Sequence, residues 1–124
     1  MPNTDRILVV EDNRAAQEGL YTLLFGEGYS VLTADNGQQA LDLLERGIRP
    51  RLLIVDLALP KVSGRDLLKY MQSDPALRLT RVIVTTAMNP EDVHVVADVV
   101  LYKPIDVALL LSTVAELMRP AAPV

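Results

Sequence analysis

The chain has 124 residues, half of them apolar, which is the usual size of one domain with a single buried core. Its 12 basic and 16 acidic residues give a formal charge of −4, and the basic residues are scattered, so we expect no direct binding to nucleic acid. The chain has no cysteine, which excludes disulfides and thiolate metal sites, and it has no apolar run of the ~18 residues that a membrane span needs.

Five short apolar runs, rich in β-branched residues, recur along the chain and predict five β-strands. They cover residues 7–10, 30–34, 52–55, 82–85 and 99–102. Because these runs are almost wholly apolar, we expect both faces of the sheet to be covered by helices, as in the parallel sheets of α/β domains.

Segments with the apolar spacing of helices follow the strands, so the predicted order is strand then helix, repeated five times. The residues expected to cap these helices are Asp12 or Asn13, Asn36, Ser63 and Asp106. The tail from Arg119 to Val124 contains two prolines and cannot continue the last helix. We therefore expect a single α/β domain over residues 1–124, with its core at about 6–118.

Carboxylates follow two of the predicted strands at the edge where open parallel sheets bind their ligands. Glu11 and Asp12 follow the first strand, and Asp56 follows the third. Three crowded carboxylates raise one another's pKa unless a cation neutralises them. Mg²⁺ prefers oxygen ligands and usually keeps a place for a phosphate oxygen. The sequence therefore predicts a magnesium site at this edge.

Threonine and lysine side chains follow the last two strands at the same edge. Thr85-Thr86 end the fourth strand, and Lys103 follows the fifth. An ammonium and a hydroxyl can hold the phosphoryl oxygens that the metal does not hold, which is what phosphoryl transfer generally needs. Asp56 is then the nucleophile. Taken singly, acidic residues after strands are common caps and lysines are commonly surface charges, so the prediction depends on the whole set.

These residues resemble the motifs of response-regulator receiver domains. The similarity runs from Arg6 to about Met118. It rests on the acidic pair after the first strand, on the segment DLALPKVSG at 56–64, and on Thr86-Ala87 and Lys103-Pro104. The resemblance implies a three-layer, flavodoxin-like, doubly wound parallel sheet with the strand order 2-1-3-4-5.

The resemblance also implies which groups bind the metal and which one accepts the phosphoryl group. Asp56 is the implied phosphoacceptor. The implied Mg²⁺ ligands are Glu11, Asp12, Asp56 and the backbone carbonyl of Ala58. Gly64 is expected to let the loop after Asp56 turn into the third helix.

Two further residues receive roles from the resemblance. Thr86 is the implied switch hydroxyl, chosen over Thr85 because the small Ala87 follows it, as the family pattern requires. Lys103 is the implied counter-charge to the phosphoryl group. We expect the peptide bond between Lys103 and Pro104 to be cis.

The function implied by the resemblance is a signalling switch. A sensor histidine kinase or a phosphotransfer protein supplies the phosphoryl group, the receiver catalyses only its own phosphorylation and dephosphorylation, and the output is a contact with another protein. We expect no membrane partner. Because the first residues lack the basic and apolar regions of a signal peptide, we expect the protein to be cytoplasmic.

Three other functions compete with this interpretation. An aspartate-nucleophile phosphohydrolase needs a second acid two residues after the nucleophile, and Ala58 stands there. A pseudo-receiver would act as a binding module alone, although it would be expected to have lost Asp56, Lys103 or the acidic pair. A receiver fragment of a larger transcriptional regulator stays open beside a stand-alone regulator.

The segment between Thr86 and Lys103 departs from the family pattern. It contains 16 residues, several fewer than a full fourth helix and fifth strand need, and its β-branched residues have low helix propensity. We therefore expect one or two helical turns or an irregular loop. Val100 replaces the aromatic residue that usually lies three positions before the lysine. Tyr102, on the same side of the strand, either takes over the role of that ring or packs beneath the segment, and we expect packing because core burial is the commoner fate of a strand tyrosine. The output face of helix 4, strand 5 and helix 5 is thus predicted to be atypical.

Overall fold

A computed structural model of the protein describes residues 6–59 and 61–120. The strands are β1 Arg6–Val10, β2 Ser30–Ala34, β3 Leu52–Asp56, β4 Arg81–Thr86 and β5 Val99–Tyr102. The α-helices of these residues are α1 Arg14–Gly26, α2 Gly37–Glu45, α3 Gly64–Ser73 and α4 Val107–Met118. None of these helices combines the length and apolar character that a membrane span requires. The domain predicted from the sequence spans residues 1–124, and its terminal residues, 1–5 and 121–124, lie outside the described residues.

The sheet is parallel throughout and has the order β2-β1-β3-β4-β5, as predicted. Successive side chains of a strand point to opposite faces, so β3 contributes to two cores. Leu53 and Val55 belong to the core under α2 and α3, whereas Leu52 and Ile54 belong to the core under α1 and α4. This arrangement confirms the three-layer, doubly wound architecture.

Every predicted helix cap among the four α-helices is present. In each case a side-chain oxygen accepts a hydrogen bond from the backbone N–H three residues later, which satisfies a donor that the helix leaves unpaired. The capping residues and distances are Asn13 at 2.9 Å, Asn36 at 2.8 Å, Ser63 at 3.1 Å and Asp106 at 3.0 Å. Because Asn13 caps α1, the Asp12 carboxylate is not used as its cap.

The connecting segment, defined here as residues 87–98, confirms that the fourth helix is shortened. Its helical content is a single 3₁₀ turn at Pro90–Asp92. From 93 to 98 the residues alternate between half-buried and exposed. The half-buried side chains pack on the core under α2 and α3. At the end of the segment, the Asp98 carboxylate accepts a hydrogen bond from the Val82 N–H at 2.7 Å, which fixes the entry into β5.

The prediction that Tyr102 packs in the core is wrong. Its side chain is 40% exposed and belongs to neither core. The reason is its place in the sheet: β5 is an edge strand, and Tyr102 pairs with Thr86 at the very end of the ladder. Val100, two residues earlier, packs against the core under α2 and α3 instead.

Two glycines allow close packing around the loop that follows β3. A Cβ atom at Gly37 would lie 1.7 Å from the carbonyl oxygen of Val62, and one at Gly64 would lie 2.8 Å from the carbonyl oxygen of Asp56. Backbone atoms occupy the space that a side chain would need. The first residues of α2 and α3 therefore contact the backbone of this loop directly and help to fix its conformation.

We expect Gly37→Ala to lower the free energy of unfolding by about 2 kcal/mol or more, because overpacking against a fixed backbone typically costs ~1–3 kcal/mol. Gly19→Ala is the matched control, since a Cβ at this position in α1 meets nothing within 4 Å. That control should stabilise the protein by about 0.5–1 kcal/mol through helix propensity. Urea unfolding measures both changes, and a neutral Gly37→Ala would contradict the close contact with Val62.

Candidate phosphoacceptor and metal site

The three predicted carboxylates meet at the carboxyl edge of the sheet. Glu11 and Asp12 directly follow β1, and Asp56 ends the neighbouring strand β3. One carboxylate oxygen of each residue lies within 4.8 Å of the corresponding oxygens of the other two. Glu11 and Asp56 are buried, whereas Asp12 is exposed. The cluster therefore has two carboxylates in the protein interior and one at the protein surface.

Lys103 brings the end of β5 to the same cluster. Its ammonium Nζ lies 2.5 Å from Asp56 Oδ2 and 3.2 Å from Glu11 Oε1. Its backbone N–H donates to the carbonyl oxygen of Thr86 at 2.7 Å, which continues the pairing of β4 with β5. The peptide bond from Lys103 to Pro104 is cis, as expected. The structure thus places the predicted counter-charge directly on the predicted phosphoacceptor.

The electrostatics of the cluster show an excess of negative charge. Burial raises the pKa of Glu11, and the neighbouring charge of Asp56 raises it further, although Lys103 acts in the opposite direction. Burial also tends to lower the pKa of Lys103, but its contacts with Asp56 and Glu11 outweigh that effect and raise the pKa. One ammonium does not neutralise three carboxylates. An oxygen-only donor set with surplus negative charge fits a hard divalent cation.

Both oxygens of the Asp56 carboxylate have partners. Oδ2 accepts from Lys103, and Oδ1 accepts a hydrogen bond from the backbone N–H of Ala58 at 2.9 Å. This second bond holds Ala58 beside the carboxylate that it follows. The metal-binding role expected of the Ala58 carbonyl stays a prediction.

The two threonines at the end of β4 occupy different positions. Period-two alternation puts Thr86 on the face of Val84, toward α2 and α3, and Thr85 on the opposite face. Both are buried, and Thr86 is 1% exposed. The Thr86 hydroxyl oxygen accepts a hydrogen bond from the Met88 N–H at 3.0 Å. Thr86 is therefore tied to the beginning of the connecting segment, and its role as a switch stays a prediction.

Gln17 belongs to the surroundings of the site, and sequence reasoning missed it. Gln17 lies in α1, and its buried side-chain amide donates to the carbonyl oxygen of Glu11 at 3.0 Å and to Asp35 Oδ1 at 2.8 Å. A signal was present in the sequence. Gln17 shares the helical spacing of Leu20 and Leu24, so a polar residue stands on the apolar face of the helix.

Comparison with known proteins connects this site to a family. The family model for the response regulator receiver domain matches residues 7–115. Among individual proteins, the polar-differentiation response regulator DivK of Brucella anthropi is 38% identical over 81 residues. The aligned part covers 65% of this chain and 65% of that relative.

Solved structures give the same result for the fold. The signal receiver domain of a signal transduction histidine kinase from Syntrophus aciditrophicus superposes with a TM-score of 0.85 at 30% identity, over 98% of both chains. The chemotaxis response regulator CheY4 of Vibrio cholerae gives a TM-score of 0.83 at 25% identity, over 92% of this chain and 98% of its own. The family match over 7–115, the sheet order and these likenesses together show that the chain belongs to the response regulator receiver domain family.

Proposed function

We propose that this receiver domain is a phosphorylation-dependent signalling switch, in which Asp56 accepts a phosphoryl group from a histidine kinase or a phosphotransfer protein. The observation that carries the proposal is the position of the Asp56 carboxylate, which contacts the Lys103 ammonium and adjoins Glu11 and Asp12 at the edge of the sheet. The proposed output is a contact with another protein, and the proposed compartment is the cytoplasm.

In the proposed reaction, a carboxylate oxygen of Asp56 attacks the phosphorus of a phosphohistidine. The phosphorus–nitrogen bond breaks, its electron pair stays on the imidazole nitrogen, which takes up a proton, and an acyl phosphate forms on Asp56. Lys103 supports this step because its ammonium already lies on Asp56 Oδ2 and can follow the charge onto the phosphoryl oxygens. Attack of water on the phosphorus later restores the carboxylate. The protein thus catalyses only its own modification.

The proposed ligands of Mg²⁺ are Glu11, Asp12, Asp56 and the carbonyl of Ala58. A magnesium ion held by these residues would offset their negative charge and supply positive charge for the incoming phosphoryl group. The clustering of the three carboxylates supports the assignment, as does the hydrogen bond that keeps Ala58 next to Asp56. The chain's own contribution is to hold these oxygens together despite their mutual repulsion.

Thr86 is the proposed switch residue, and the connecting segment is the proposed element that responds. The Thr86 hydroxyl accepts from the Met88 N–H, which leaves its own proton available for a phosphoryl oxygen on Asp56. Movement of this hydroxyl toward the phosphoryl group therefore acts directly on the start of the segment. Because the segment has a single 3₁₀ turn, the proposed response is a shift between populations of the segment. Tyr102 is 40% exposed and unpacked, so rotation of its ring is the second candidate for the response.

Treatment with acetyl phosphate and Mg²⁺ is expected to add one phosphoryl group, as measured by the intact mass of the protein. Asp56→Asn should remain unmodified, because an amide is a poor nucleophile, and chelation of the metal should prevent modification of the wild type. Asp42→Asn, which changes an exposed carboxylate on α2, is the matched control and should be modified normally. A folded wild type that stays unmodified would favour a pseudo-receiver that acts as a binding module.

In metal-free buffer, Glu11→Gln is expected to raise Tm at neutral pH, because a neutral amide replaces a carboxylate whose charge is disfavoured by burial and by Asp56. A pKa raised on folding means that Glu11 contributes stability below its ordinary value of 4.5 and loses that contribution as the pH rises through its folded pKa. The amide introduced by the substitution does not ionise. The free energy of unfolding of the variant should therefore depend less on pH between 4.5 and neutrality.

Thermal melting with and without Mg²⁺ measures this effect. Saturating Mg²⁺ should stabilise the wild type more than Glu11→Gln, because a ligand stabilises the state that binds it. Glu18→Gln, an exposed change on α1, is the control and should leave both melts unchanged. A metal-free Glu11→Gln that melts below the wild type would show that the contact with Lys103 outweighs the repulsion from Asp56.

Amide hydrogen exchange should be faster in the connecting segment than in the sheet. The backbone N–H groups of residues 94–97 have no hydrogen-bond partner among the described residues, so we expect them to exchange quickly. Addition of beryllofluoride and Mg²⁺, a mimic of phosphorylation, should change exchange at 88–92, while β3 stays protected. A segment that is strongly protected and unaffected by beryllofluoride would contradict its proposed role.

A further inference from the structure

We propose that Gln17 is a positioning residue for the metal-binding carboxylates, an inference that rests on the proposed function. Gln17 lies in α1, is 5% exposed and makes its hydrogen bonds with neither Asp56 nor Lys103. Its Nε2 donates to the Glu11 carbonyl oxygen at 3.0 Å and to Asp35 Oδ1 at 2.8 Å, with a longer contact of 3.3 Å to the Ala34 carbonyl oxygen. The two shorter contacts employ the two hydrogens of the amide.

The peptide group between Glu11 and Asp12 is held at both of its polar atoms. Its carbonyl oxygen accepts from Gln17, and its N–H donates to the carboxylate Oε2 of Glu11 at 3.0 Å. Because a peptide group is planar, fixing the carbonyl also fixes the direction of the N–H and therefore the carboxylate that this N–H holds. The Glu11 and Asp12 side chains leave the backbone on either side of this plane. Gln17 thereby sets the orientation from which both carboxylates reach the metal.

Asp35 sets the orientation of the Gln17 amide in turn. Asp35 follows β2, and the hydrogen bond from Gln17 is the main reason why its pKa is lowered, which favours the charged acceptor. The Asp35 N–H donates to Gln39 Oε1 at 2.8 Å, near the start of α2. A chain of hydrogen bonds thus runs from the backbone of Glu11 to the first turn of α2.

The chemistry of Gln17 distinguishes positioning from simple packing. An apolar residue would satisfy the hydrophobic spacing of Leu20 and Leu24 without the cost of burying an amide. It would also leave the Glu11 carbonyl oxygen without its side-chain donor. Groups that orient metal ligands from outside the coordination sphere commonly change metal affinity when they are replaced. A glutamine that served packing alone would change stability and leave the affinity for Mg²⁺ as it is.

Isothermal titration calorimetry with Mg²⁺ alone, on the full chain, tests the proposal. Gln17→Met keeps the size and burial of the side chain but removes the donor, and it should weaken Mg²⁺ binding about 10-fold. The Mg²⁺ concentration that half-saturates phosphorylation by acetyl phosphate should rise by the same factor, with the rate at saturating Mg²⁺ close to that of the wild type.

Three further variants complete the test. Asp35→Ala should also weaken the binding of Mg²⁺. Asp35→Asn should bind Mg²⁺ as the wild type does, because the amide oxygen still accepts the hydrogen bond from Gln17. Gln38→Met is the matched control and should bind Mg²⁺ as the wild type does. It removes a side-chain amide whose bond, at 2.9 Å, is to Asp42 on the exposed side of α2.

A Gln17→Met protein that melts earlier but binds Mg²⁺ within about twofold of the wild type would overturn the proposal, because outer groups that position ligands change affinity by more than that. If Gln17→Met does not fold, Asp35→Ala decides, since Asp35 is exposed: unchanged affinity there would also overturn the proposal. A wild type that binds no Mg²⁺ would instead remove the proposed function itself, so the two failures can be told apart.

Discussion

The contact of the Lys103 ammonium with two buried carboxylates is the interaction around which this receiver domain is arranged. It joins the end of β5 to the ends of β1 and β3, and it is possible only because parallel strands finish at one edge of the sheet. Buried carboxylates without such a partner carry a large desolvation cost. The ammonium offsets part of that cost for Asp56 and Glu11 and leaves a surplus negative charge, which is the physical basis for the proposed cation.

The backbone around this cluster is fixed on two sides. Gly37 and Gly64 allow the first residues of α2 and α3 to contact the loop after β3 directly, and Gln17 holds the peptide group that follows Glu11. Reacting groups that are held before the reaction need little reorganisation during it. The site is therefore held by the peptide group after Glu11, whose two polar atoms both have partners, and by the backbone contacts at Gly37 and Gly64.

The connecting segment has the opposite character. It has one 3₁₀ turn, an extended stretch from 93 to 98, and attachment points at the Met88 N–H and the Asp98 carboxylate. Segments with few hydrogen bonds and half-buried side chains open at low free energy. Thr86 stands at the boundary between the rigid cluster and this segment, so a change at the cluster has a short route to the surface that the segment forms.

The amino-acid sequence by itself determined the elements and the chemical types at the site. Apolar runs of four or five residues indicate the strands, side chains such as Asn36 and Ser63 begin the helices they cap, and Asp56 and Lys103 stand where their strands end. These features follow from local periodicity and local hydrogen bonding, which depend on neighbours in the chain. The connection between Thr86 and Lys103 likewise limited the fourth helix, through its short length and its β-branched residues.

Only the tertiary structure decided the features that depend on residues distant in the chain. Tyr102 is exposed because it is the last residue of β5, the edge strand. Gly37 is required because Val62 passes beside it, and Gln17 bonds to Glu11 and Asp35 because β1 and β2 are neighbours under α1. Periodicity shows that a side chain faces the interior, but it does not show which backbone atoms lie next to that side chain. That information arises when the strands take their order and bring separate loops within hydrogen-bond distance.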